Sequence, residues 1–373
     1  MKKILITGGA GFIGFELSKK FINDGYEVTI LDNLSSKIHS NKSKYEALKN
    51  ISNFIVGDVC SRKDLELAIN NQDAIIHLAS ETGTGQSMYD IHNYTNVNIG
   101  STALMLDILS NSKNNVKKIL LSSSRSVYGE GKYTNENKDI FYPKKREIVD
   151  LDNSNFEFKC PISLKDLNPI PTDEDSDLNP TSIYSLTKYN QERMLQLVCN
   201  NLNIQPIILR YQNVYGPGQS LSNPYTGILS IFSTRILNIN DIEVYEDGLQ
   251  TRDLVYIDNV VDITFSALIS DNLKFNIYNV GSGEAYTVLS IAKKLKEIFN
   301  SDVKIDISKR YRIGDIRHNF ADISRLKSDF DCSNFISFDD GLKSFVNWVK
   351  TQNIEKDLYN NSVQELKKKG LIR

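Results

Sequence analysis

Short apolar runs alternate with helix-length amphipathic segments through the first 210 residues of the chain. The runs with the length and composition of buried strands are Ile4–Thr7, Glu27–Leu31, Asn53–Val56, Ala74–Leu78, Lys118–Ser122 and Pro206–Leu209. Helical patterns such as Phe15–Asp24 and Thr102–Ser112 lie between them. Because strands that alternate with helices are joined by right-handed crossovers, this pattern predicts a doubly wound parallel sheet, a Rossmann-like α/β fold.

The alternation loosens after residue 212, where the chain becomes richer in turns. Turn-rich stretches at Tyr215–Pro224 and Asp247–Asp253 precede two predicted helices, one after a Thr287 cap and one near Asp339–Lys350. We therefore predict a nucleotide-binding domain at 1–212 and a smaller C-terminal α/β substrate-binding domain at 213–373. The chain is expected to return partly to the first domain near 253–270.

A polar stretch rich in Lys, Asp, Asn and Pro interrupts the first domain between about residues 130 and 180. A connection of this length inside a compact domain is usually functional or flexible. We interpret this insertion as a mobile surface segment, with a substrate lid or an oligomer contact as the alternative.

Composition limits the class of protein. The 373 residues are 40% hydrophobic and 24% charged, as in an ordinary globular protein, and the net charge of -2 gives no reason to expect nucleic acid or a membrane as a partner. The four cysteines are far apart in sequence, so reduced thiols are expected, without a disulfide framework or a metal site. No apolar stretch approaches the ~18 residues that a membrane helix needs. Met1–Ile6 is a predicted strand and no signal peptide, so a cytoplasmic location is expected.

A glycine motif follows the first predicted strand, in the sequence Gly8-Gly9-Ala10-Gly11-Phe12-Ile13-Gly14. Small residues between a strand and a helix let the backbone approach a pyrophosphate, although such a turn also occurs without a ligand. Asp32 ends the next strand, where a carboxylate can accept both ribose hydroxyls and would repel a 2′-phosphate. Asp58 follows the third strand and is either an adenine ligand or a helix N-cap. Together these residues predict a dinucleotide site that prefers NAD to NADP.

Tyr184 and Lys188 lie four residues apart in Thr181-Ser-Ile-Tyr184-Ser-Leu-Thr-Lys188. On a helix these positions share one face, so the ammonium group can lie near the phenol. A nearby positive charge favours the phenolate, and we expect Lys188 to lower a tyrosine pKa that starts near ~10. A tyrosinate beside a nicotinamide ring can oxidise an alcohol.

Further motifs follow in order: His77–Ser80, Ser122–Gly129, Arg210–Pro217, Asp247–Asp253 and Arg312–Asp315. With these motifs the chain resembles the extended short-chain dehydrogenase/reductase family, and within it the NAD-dependent nucleotide-sugar epimerases of the UDP-galactose 4-epimerase type. The likeness covers most of the chain outside the insertion. It implies a Rossmann fold at 1–212, NAD as cofactor and a nucleotide-diphosphate sugar as substrate.

The resemblance also implies roles for individual residues. The implied catalytic residues are Ser124, Tyr184 and Lys188. The implied cofactor-binding residues are Gly8, Gly11, Phe12, Ile13, Gly14, Asp32, Asn33, Asp58, Val59, Leu78, Ala79, Ser80, Asn98, Tyr184 and Lys188. The implied substrate-binding residues are Thr82, Ser124, Asn213, Arg252, Arg312 and Asp315. Asn98 is expected to position Lys188, and the two arginines with Asn213 to hold a diphosphate.

The two residues after Ser124 separate this chain from neighbours in the family. The 4,6-dehydratases carry an Asp-Glu pair there, and UDP-glucuronate decarboxylases carry a glutamate, whereas this chain has Arg125 and Ser126. Without that second carboxyl group, elimination of water lacks its acid. Epimerisation, or oxidation and reduction without elimination, remains.

A narrower likeness, to the dTDP-L-rhamnose 4-epimerases, lies in Glu81–Tyr89, in Gln219–Ser230 and in the long insertion. It implies interconversion of dTDP-L-rhamnose and dTDP-6-deoxy-L-talose. The alternatives are a UDP-hexose 4-epimerase, a nucleotide-sugar 4-keto reductase and, more remotely, a non-catalytic dinucleotide sensor. Family members commonly form homodimers through a four-helix bundle, and the apolar faces of Ile183–Cys199 and Asn98–Leu109 suit that arrangement.

Overall fold

A computed structural model of the chain describes residues 1–36, 43–225 and 227–373. The strands, numbered in chain order, are β1 (Lys3–Thr7), β2 (Glu27–Asp32), β3 (Asn53–Val56), β4 (Ala74–His77), β5 (Lys118–Ser124), β6 (Lys132–Thr134), β7 (Ile140–Phe141), β8 (Asn168–Ile170), β9 (Gln205–Tyr211), β10 (Asn213–Tyr215), β11 (Ile242–Val244), β12 (Thr251–Arg252), β13 (Leu254–Tyr256), β14 (Ile277–Val280), β15 (Tyr286–Thr287), β16 (Ile305–Ile307) and β17 (His318–Asn319).

The helices connect these strands and cover the sheet. They are α1 (Phe12–Asn23), α2 (Ser43–Leu48), α3 (Arg62–Ile69), α4 (Thr84–Ser87), α5 (Ile91–Tyr94), α6 (Ser101–Asn111), α7 (Ile148–Asp152), α8 (Ile183–Asn201), α9 (Ile228–Leu237), α10 (Ile257–Ile269), α11 (Val288–Phe299), α12 (Ser324–Asp329), α13 (Phe338–Lys350) and α14 (Tyr359–Lys368). A π-helical turn covers Thr95–Gly100, and a 3₁₀ turn covers Arg125–Tyr128.

The central sheet has seven parallel strands in the order β14-β9-β5-β4-β1-β2-β3. The chain runs outward from β1 through β2 to β3, then returns to β4 on the other side of β1. This reversal of strand order creates a crevice at the carboxyl ends of β1 and β4, where α/β sheets bind their ligands. The predicted Rossmann-like doubly wound sheet is confirmed.

The strands are continuous apolar runs because helices cover both faces of the sheet. In β1, Ile4 and Ile6 point into the layer that contains α1 and α10, whereas Leu5 points into the layer that contains α3, α6 and α8. All three side chains are fully buried. The sheet is thus fixed from both sides, so the loops at its carboxyl edge project from a rigid base.

The C-terminal part of the chain contributes to the central sheet as well as to smaller sheets. Helix α10 lies against α1, where the rings of Phe21 and Phe265 are 4.8 Å apart, and β14 pairs with β9. The return of the chain therefore extends beyond the predicted 253–270 to Val280. The small sheets β10-β13, β11-β16 and β15-β12-β17 follow the turn-rich pattern after residue 212. The division at residue 212 stays a proposal.

The insertion folds into a small antiparallel sheet in the order β7-β6-β8. Its own apolar cluster contains Tyr133, Cys160 and Leu167. Buried ion pairs join it to the C-terminal part: Arg146 pairs with Glu246 at 2.8 Å, and Glu130 accepts a hydrogen bond from the backbone N–H of Arg317 at 2.6 Å. The insertion therefore packs against the C-terminal part of the protein, whereas the sequence pattern had indicated a mobile surface segment.

Helix α14 packs on its own chain, where Val363 and Leu366 join a cluster with Tyr89 and Tyr225. None of the helices in the described ranges is both long and apolar enough to cross a membrane. Within the same ranges, no group of three or more His, Cys, Asp or Glu side chains is placed to hold a metal ion.

Candidate active site

A cavity of about 510 Å³ opens at the carboxyl edge of the central sheet. The predicted site residues that line it are Gly8, Gly11, Phe12, Ile13, Gly14, Asp32, Asn33, Asp58, Val59, Leu78, Ala79, Ser80, Thr82, Ser124, Tyr184, Lys188 and Asn213. Asn98, Arg252, Arg312 and Asp315 do not line it. The structure therefore brings the predicted cofactor and catalytic residues together and separates part of the predicted substrate set from them.

The turn between β1 and α1 forms one wall of the cavity and requires glycine at two positions. Gly8 has φ of +69°, and a Cβ there would lie 2.9 Å from the backbone N of Ala79. A Cβ on Gly14 would lie 2.2 Å from the backbone O of Gly8. The turn thus packs tightly against the first turn of α1 and the end of β4, which leaves the N-terminus of α1 free to face a pyrophosphate.

Asp32 lies at the end of β2 and is buried beside this turn. Its carboxylate accepts hydrogen bonds from the N–H of Ala10 at 3.0 Å and of Leu34 at 2.9 Å. Asp58 accepts from the N–H of Cys60 and the amide of Asn33. The N-cap of α3 is Ser61, so the N-cap alternative for Asp58 is wrong. The glycine cradle and the two carboxylates fit a dinucleotide with a free ribose.

The catalytic residues come from β5 and α8. A capping box between Ser182 and Ser185 begins α8, which places Tyr184 and Lys188 one turn apart at the cavity. The Lys188 ammonium donates a hydrogen bond to the backbone O of Ser122 at 2.9 Å, and Ser124 forms a side-chain hydrogen bond with Tyr184. The three predicted catalytic groups therefore meet in one place.

Burial changes the charge of both groups on α8. It lowers the pKa of Lys188 to about 7, against the opposing charge of Glu192. It also raises the pKa of Tyr184, against the hydrogen bond from Ser124 and the charge of Arg125. The expectation that Lys188 lowers the pKa of Tyr184 is wrong in its net direction here, because the desolvation of a buried phenolate is the larger effect.

Asn98 is buried behind the cavity, on the π-helical turn. Its amide oxygen accepts from the N–H of Glu81 at 2.9 Å, and its amide nitrogen donates to the Thr187 hydroxyl at 2.9 Å. Because Thr187 precedes Lys188, Asn98 holds α8 in place next to the cavity wall. Asn98 does not line the cavity, so in this structure it contributes by positioning α8.

The two histidines closest to the predicted site have structural partners. His77 contacts the hydroxyls of Thr7 at 2.9 Å and Thr102 at 3.2 Å, and burial lowers its pKa to about 3. His318 contacts Glu157 at 3.0 Å. These partners indicate a structural role for both histidines.

The remaining predicted substrate residues lie next to the cavity. Arg312 pairs with Asp315 at 2.8 Å, and both line a narrow pocket that shares Thr84 with the main cavity. The Arg252 guanidinium donates to the backbone O of Thr251 at 2.8 Å and of Arg317 at 3.1 Å. These cations are thus held by the protein itself.

Sequence reasoning assigned no binding role to several polar residues of the cavity wall. Those with buried atoms that have no hydrogen-bond partner among the described residues are Arg125, Ser126, Gln212 and Gln219. Each belongs to a motif that carries the family resemblance, but the spacing gave no sign that its side chain reaches the cavity.

A parallel doubly wound sheet, a glycine cradle with Asp32, and a Ser-Tyr-Lys set in one cavity define a dinucleotide-dependent enzyme that acts on an alcohol or ketone. The family model described as "NAD dependent epimerase/dehydratase family" matches residues 4–146 and 164–281. The chain belongs to this family, and its cofactor is NAD.

Relatives with known names narrow the class. The dTDP-L-rhamnose 4-epimerase of Burkholderia thailandensis is 34% identical over 93% of this chain and 95% of its own. A crystal structure of UDP-glucuronic acid 4-epimerase from Bacillus cereus superposes with a TM-score of 0.75, at 26% identity over 93% of this chain and 99% of the other. A crystal structure of UDP-glucose 4-epimerase from Thermotoga maritima superposes with a TM-score of 0.73, at 27% identity over 93% of this chain and 98% of the other. The predicted enzyme class, an NAD-dependent nucleotide-sugar epimerase and so an isomerase, is confirmed.

Proposed function

We propose that the protein interconverts dTDP-L-rhamnose and dTDP-6-deoxy-L-talose by NAD-dependent epimerisation at C4, through a 4-keto sugar. The observation that carries the 4-epimerase chemistry is the meeting of Ser124, Tyr184 and Lys188 in the cavity that also holds the glycine cradle and Asp32. The similarity to the Burkholderia thailandensis relative supports the choice of sugar.

In this mechanism the protein binds, orients and moves protons. Tyr184 takes the proton of the sugar 4-hydroxyl while Ser124 holds the oxygen, and Ser124 and Arg125 favour the phenolate. When bound, NAD would supply the hydride chemistry, in which the hydride leaves C4 and returns to the opposite face of the 4-keto carbon. Tyr184 returns its proton to the sugar 4-oxygen, so no second substrate is consumed.

The cavity wall after Ser124 supports epimerisation over elimination. Arg125 and Ser126 both line the cavity, where they present a guanidinium and a hydroxyl group. Neither group can serve as the carboxylic acid that would protonate a departing hydroxyl. This separates the proposed reaction from a dehydration.

The substrate is proposed to extend from the catalytic residues toward the C-terminal part of the chain. Thr82 and Asn213 line the cavity, and Arg312 lines the narrow pocket beside it. Asn213, Arg252 and Arg312 are the proposed partners of the diphosphate. Asp315 is proposed to contact the nucleoside, which requires that its ion pair with Arg312 rearranges. A homodimer and, from the four free cysteines, a cytoplasmic location are part of the same proposal.

Proton NMR of dTDP-L-rhamnose with the purified enzyme and no added cofactor tests the reaction and the sugar together. New resonances with the H4 couplings of the talo sugar are expected. An unchanged spectrum would reject the rhamnose assignment. UDP-glucose, tested next, addresses the second candidate, a UDP-hexose 4-epimerase, which the Thermotoga maritima structure favours. Stoichiometric consumption of added NADH would instead identify a reductase.

A further inference from the structure

Arg125 occupies an unusual place in the cavity wall. It follows Ser124 directly and begins the 3₁₀ turn, which the N–H of Ser126 fixes by donating to the Ser124 hydroxyl at 3.2 Å. Its Nη1 atom is inaccessible to solvent and has no hydrogen-bond partner among the described residues. The side chain as a whole is half-buried and lines the cavity, and its guanidinium donates no hydrogen bond to the described residues.

Other buried arginines of the described chain have carboxylate partners. Arg210 pairs with Glu192 at 2.8 Å, and Arg317 pairs with Glu246 at 2.8 Å. No described carboxylate forms such an ion pair with Arg125. Burial and the charge of nearby Arg252 lower its pKa to about 9, so the guanidinium stays charged near neutral pH. A buried cation without a partner is costly unless a ligand supplies one.

The neighbouring side chains indicate the chemistry of that ligand. Ser126 Oγ, both polar atoms of the Gln212 amide and Asn213 Oδ1 are also buried without partners in the part of the chain that the structure describes. All of them line the same cavity. The side chains beside the cavity therefore carry acceptors as well as donors that the protein leaves unpaired. Hydroxyl groups, which donate and accept, match such a wall, whereas a phosphate only accepts.

We propose that Arg125 is a sugar-binding residue, whose guanidinium donates a hydrogen bond to an oxygen of the sugar that Ser124 and Tyr184 hold. This inference rests on the proposed function and names a residue that selects the sugar. The position of Arg125, directly after Ser124 and close enough to influence Tyr184, places the bonded oxygen near the reacting carbon. The diphosphate is left to Arg252 and Arg312.

Binding measurements test this without turnover. In a Tyr184→Phe background, calorimetry gives the association constants for dTDP-L-rhamnose and for dTDP. The ratio of the first constant to the second isolates the contribution of the sugar. UDP-glucose and UDP are measured in parallel. Arg125→Met is expected to reduce that ratio by about 10-fold or more, the usual effect of a lost charged hydrogen bond. The affinity for the nucleoside diphosphate alone should stay unchanged.

Two controls sharpen the experiment. Arg125→Lys keeps the charge but shortens and reshapes the donor, and should restore part of the ratio. Lys293→Met removes an exposed cation on α11, away from the cavity lining, and should change neither affinity. A loss of dTDP affinity equal to the loss of sugar-nucleotide affinity would show a phosphate contact and overturn the proposal. An unchanged ratio in Arg125→Met would overturn it as well.

The outcomes also separate this inference from the proposed function. If the ratio falls as expected but NMR shows no epimerisation of any sugar nucleotide, the sugar-binding role of Arg125 stands and the proposed reaction fails. If epimerisation occurs and the ratio does not change, the reaction stands and the role of Arg125 fails.

Discussion

At the scale of single residues, the site balances burial against charge. Burial favours the neutral form of Tyr184 and of Lys188, while Ser124 and Arg125 favour the phenolate. A general base must be available in its ionised form near the working pH. The residues around Tyr184 therefore decide at which pH the enzyme acts, and they include a cation that motif spacing did not predict.

Tyr184→Phe is expected to abolish epimerisation, with a loss of at least about 10²-fold, because the phenol is the proposed proton acceptor. NAD content and melting temperature should stay close to those of the wild type. Tyr189→Phe is the matched control, since Tyr189 lies on the same helix and does not line the cavity. Rates are compared by NMR. Near wild-type turnover of Tyr184→Phe would reject Tyr184 as the base.

Arg125→Met should move the acid limb of the kcat–pH profile to higher pH. The charge of Arg125 lowers the pKa of Tyr184, so its removal raises that pKa, and a higher pH is then needed to ionise the base. Arg125→Lys keeps a cation and should leave the acid limb near its wild-type position. Initial rates between pH 6 and 9 check this, and identical profiles for all three proteins would contradict it.

At the scale of elements, most of the sheet could be predicted because each parallel strand is a local apolar run. Predicted and observed strands differ by one or two residues, for example Lys118–Ser122 against Lys118–Ser124. The insertion could not be predicted in this way. Its strand β6 pairs with β8, some thirty residues further along the chain, and a polar sequence with three-residue strands carries no periodicity that reveals such a pairing.

The prediction of the site is also limited wherever the geometry depends on contacts between segments that are distant in sequence. The glycine turn and the Tyr184–Lys188 pair are local, so their spacing predicts their geometry. Whether Arg125 has a partner, or whether Arg312 pairs with Asp315, depends on contacts between distant segments. Asn98 combines the two cases. The resemblance implied a positioning role for it, but its hydrogen bond to the Thr187 hydroxyl joins distant segments and is visible only in the structure.

Glu130→Gln tests how the insertion is attached. Burial raises the pKa of Glu130 from 4.5 to about 7, so the folded protein binds this proton more tightly than the unfolded chain. The associated stability is fully present below about pH 4.5 and is lost as the pH rises through 7. The Glu130→Gln side chain cannot ionise, so the variant keeps its stability as the pH rises. The melting temperature of the variant minus that of the wild type should therefore be about 2–4 °C higher at pH 8 than at pH 5.

The control for this prediction is Glu136→Gln, an exposed glutamate of the same insertion. The difference in melting temperature between Glu136→Gln and the wild type should be the same at pH 5 and pH 8. Calorimetry at both pH values provides the comparison. If the difference between Glu130→Gln and the wild type is the same at pH 5 and pH 8, Glu130 is not protonated preferentially in the folded protein.

At the scale of the whole molecule, α8 has three surfaces with separate tasks. One carries Tyr184 and Lys188 to the cavity, and a second holds Glu192 against Arg210 under the sheet. The third is exposed and carries two leucines, Leu186 and Leu197, which retain 45% and 64% of their accessible surface. These leucines are eleven residues apart, close to about three helical turns, so they lie on one face. A second copy of the chain can cover this face.

Leu197→Asp is therefore expected to convert a homodimer into a monomer, because covering a carboxylate in the interface costs its hydration. Light scattering during size-exclusion chromatography at micromolar concentration should give twice the 42.3-kDa chain mass for the wild type and a single chain mass for the variant. Ile239→Asp, which changes an exposed isoleucine after α9, should remain dimeric. A monomeric wild type would reject the dimer, and a dimeric Leu197→Asp would place the interface elsewhere. Since α8 also carries the catalytic pair, loss of the dimer should lower activity while the NAD site on β1 and β2 stays intact.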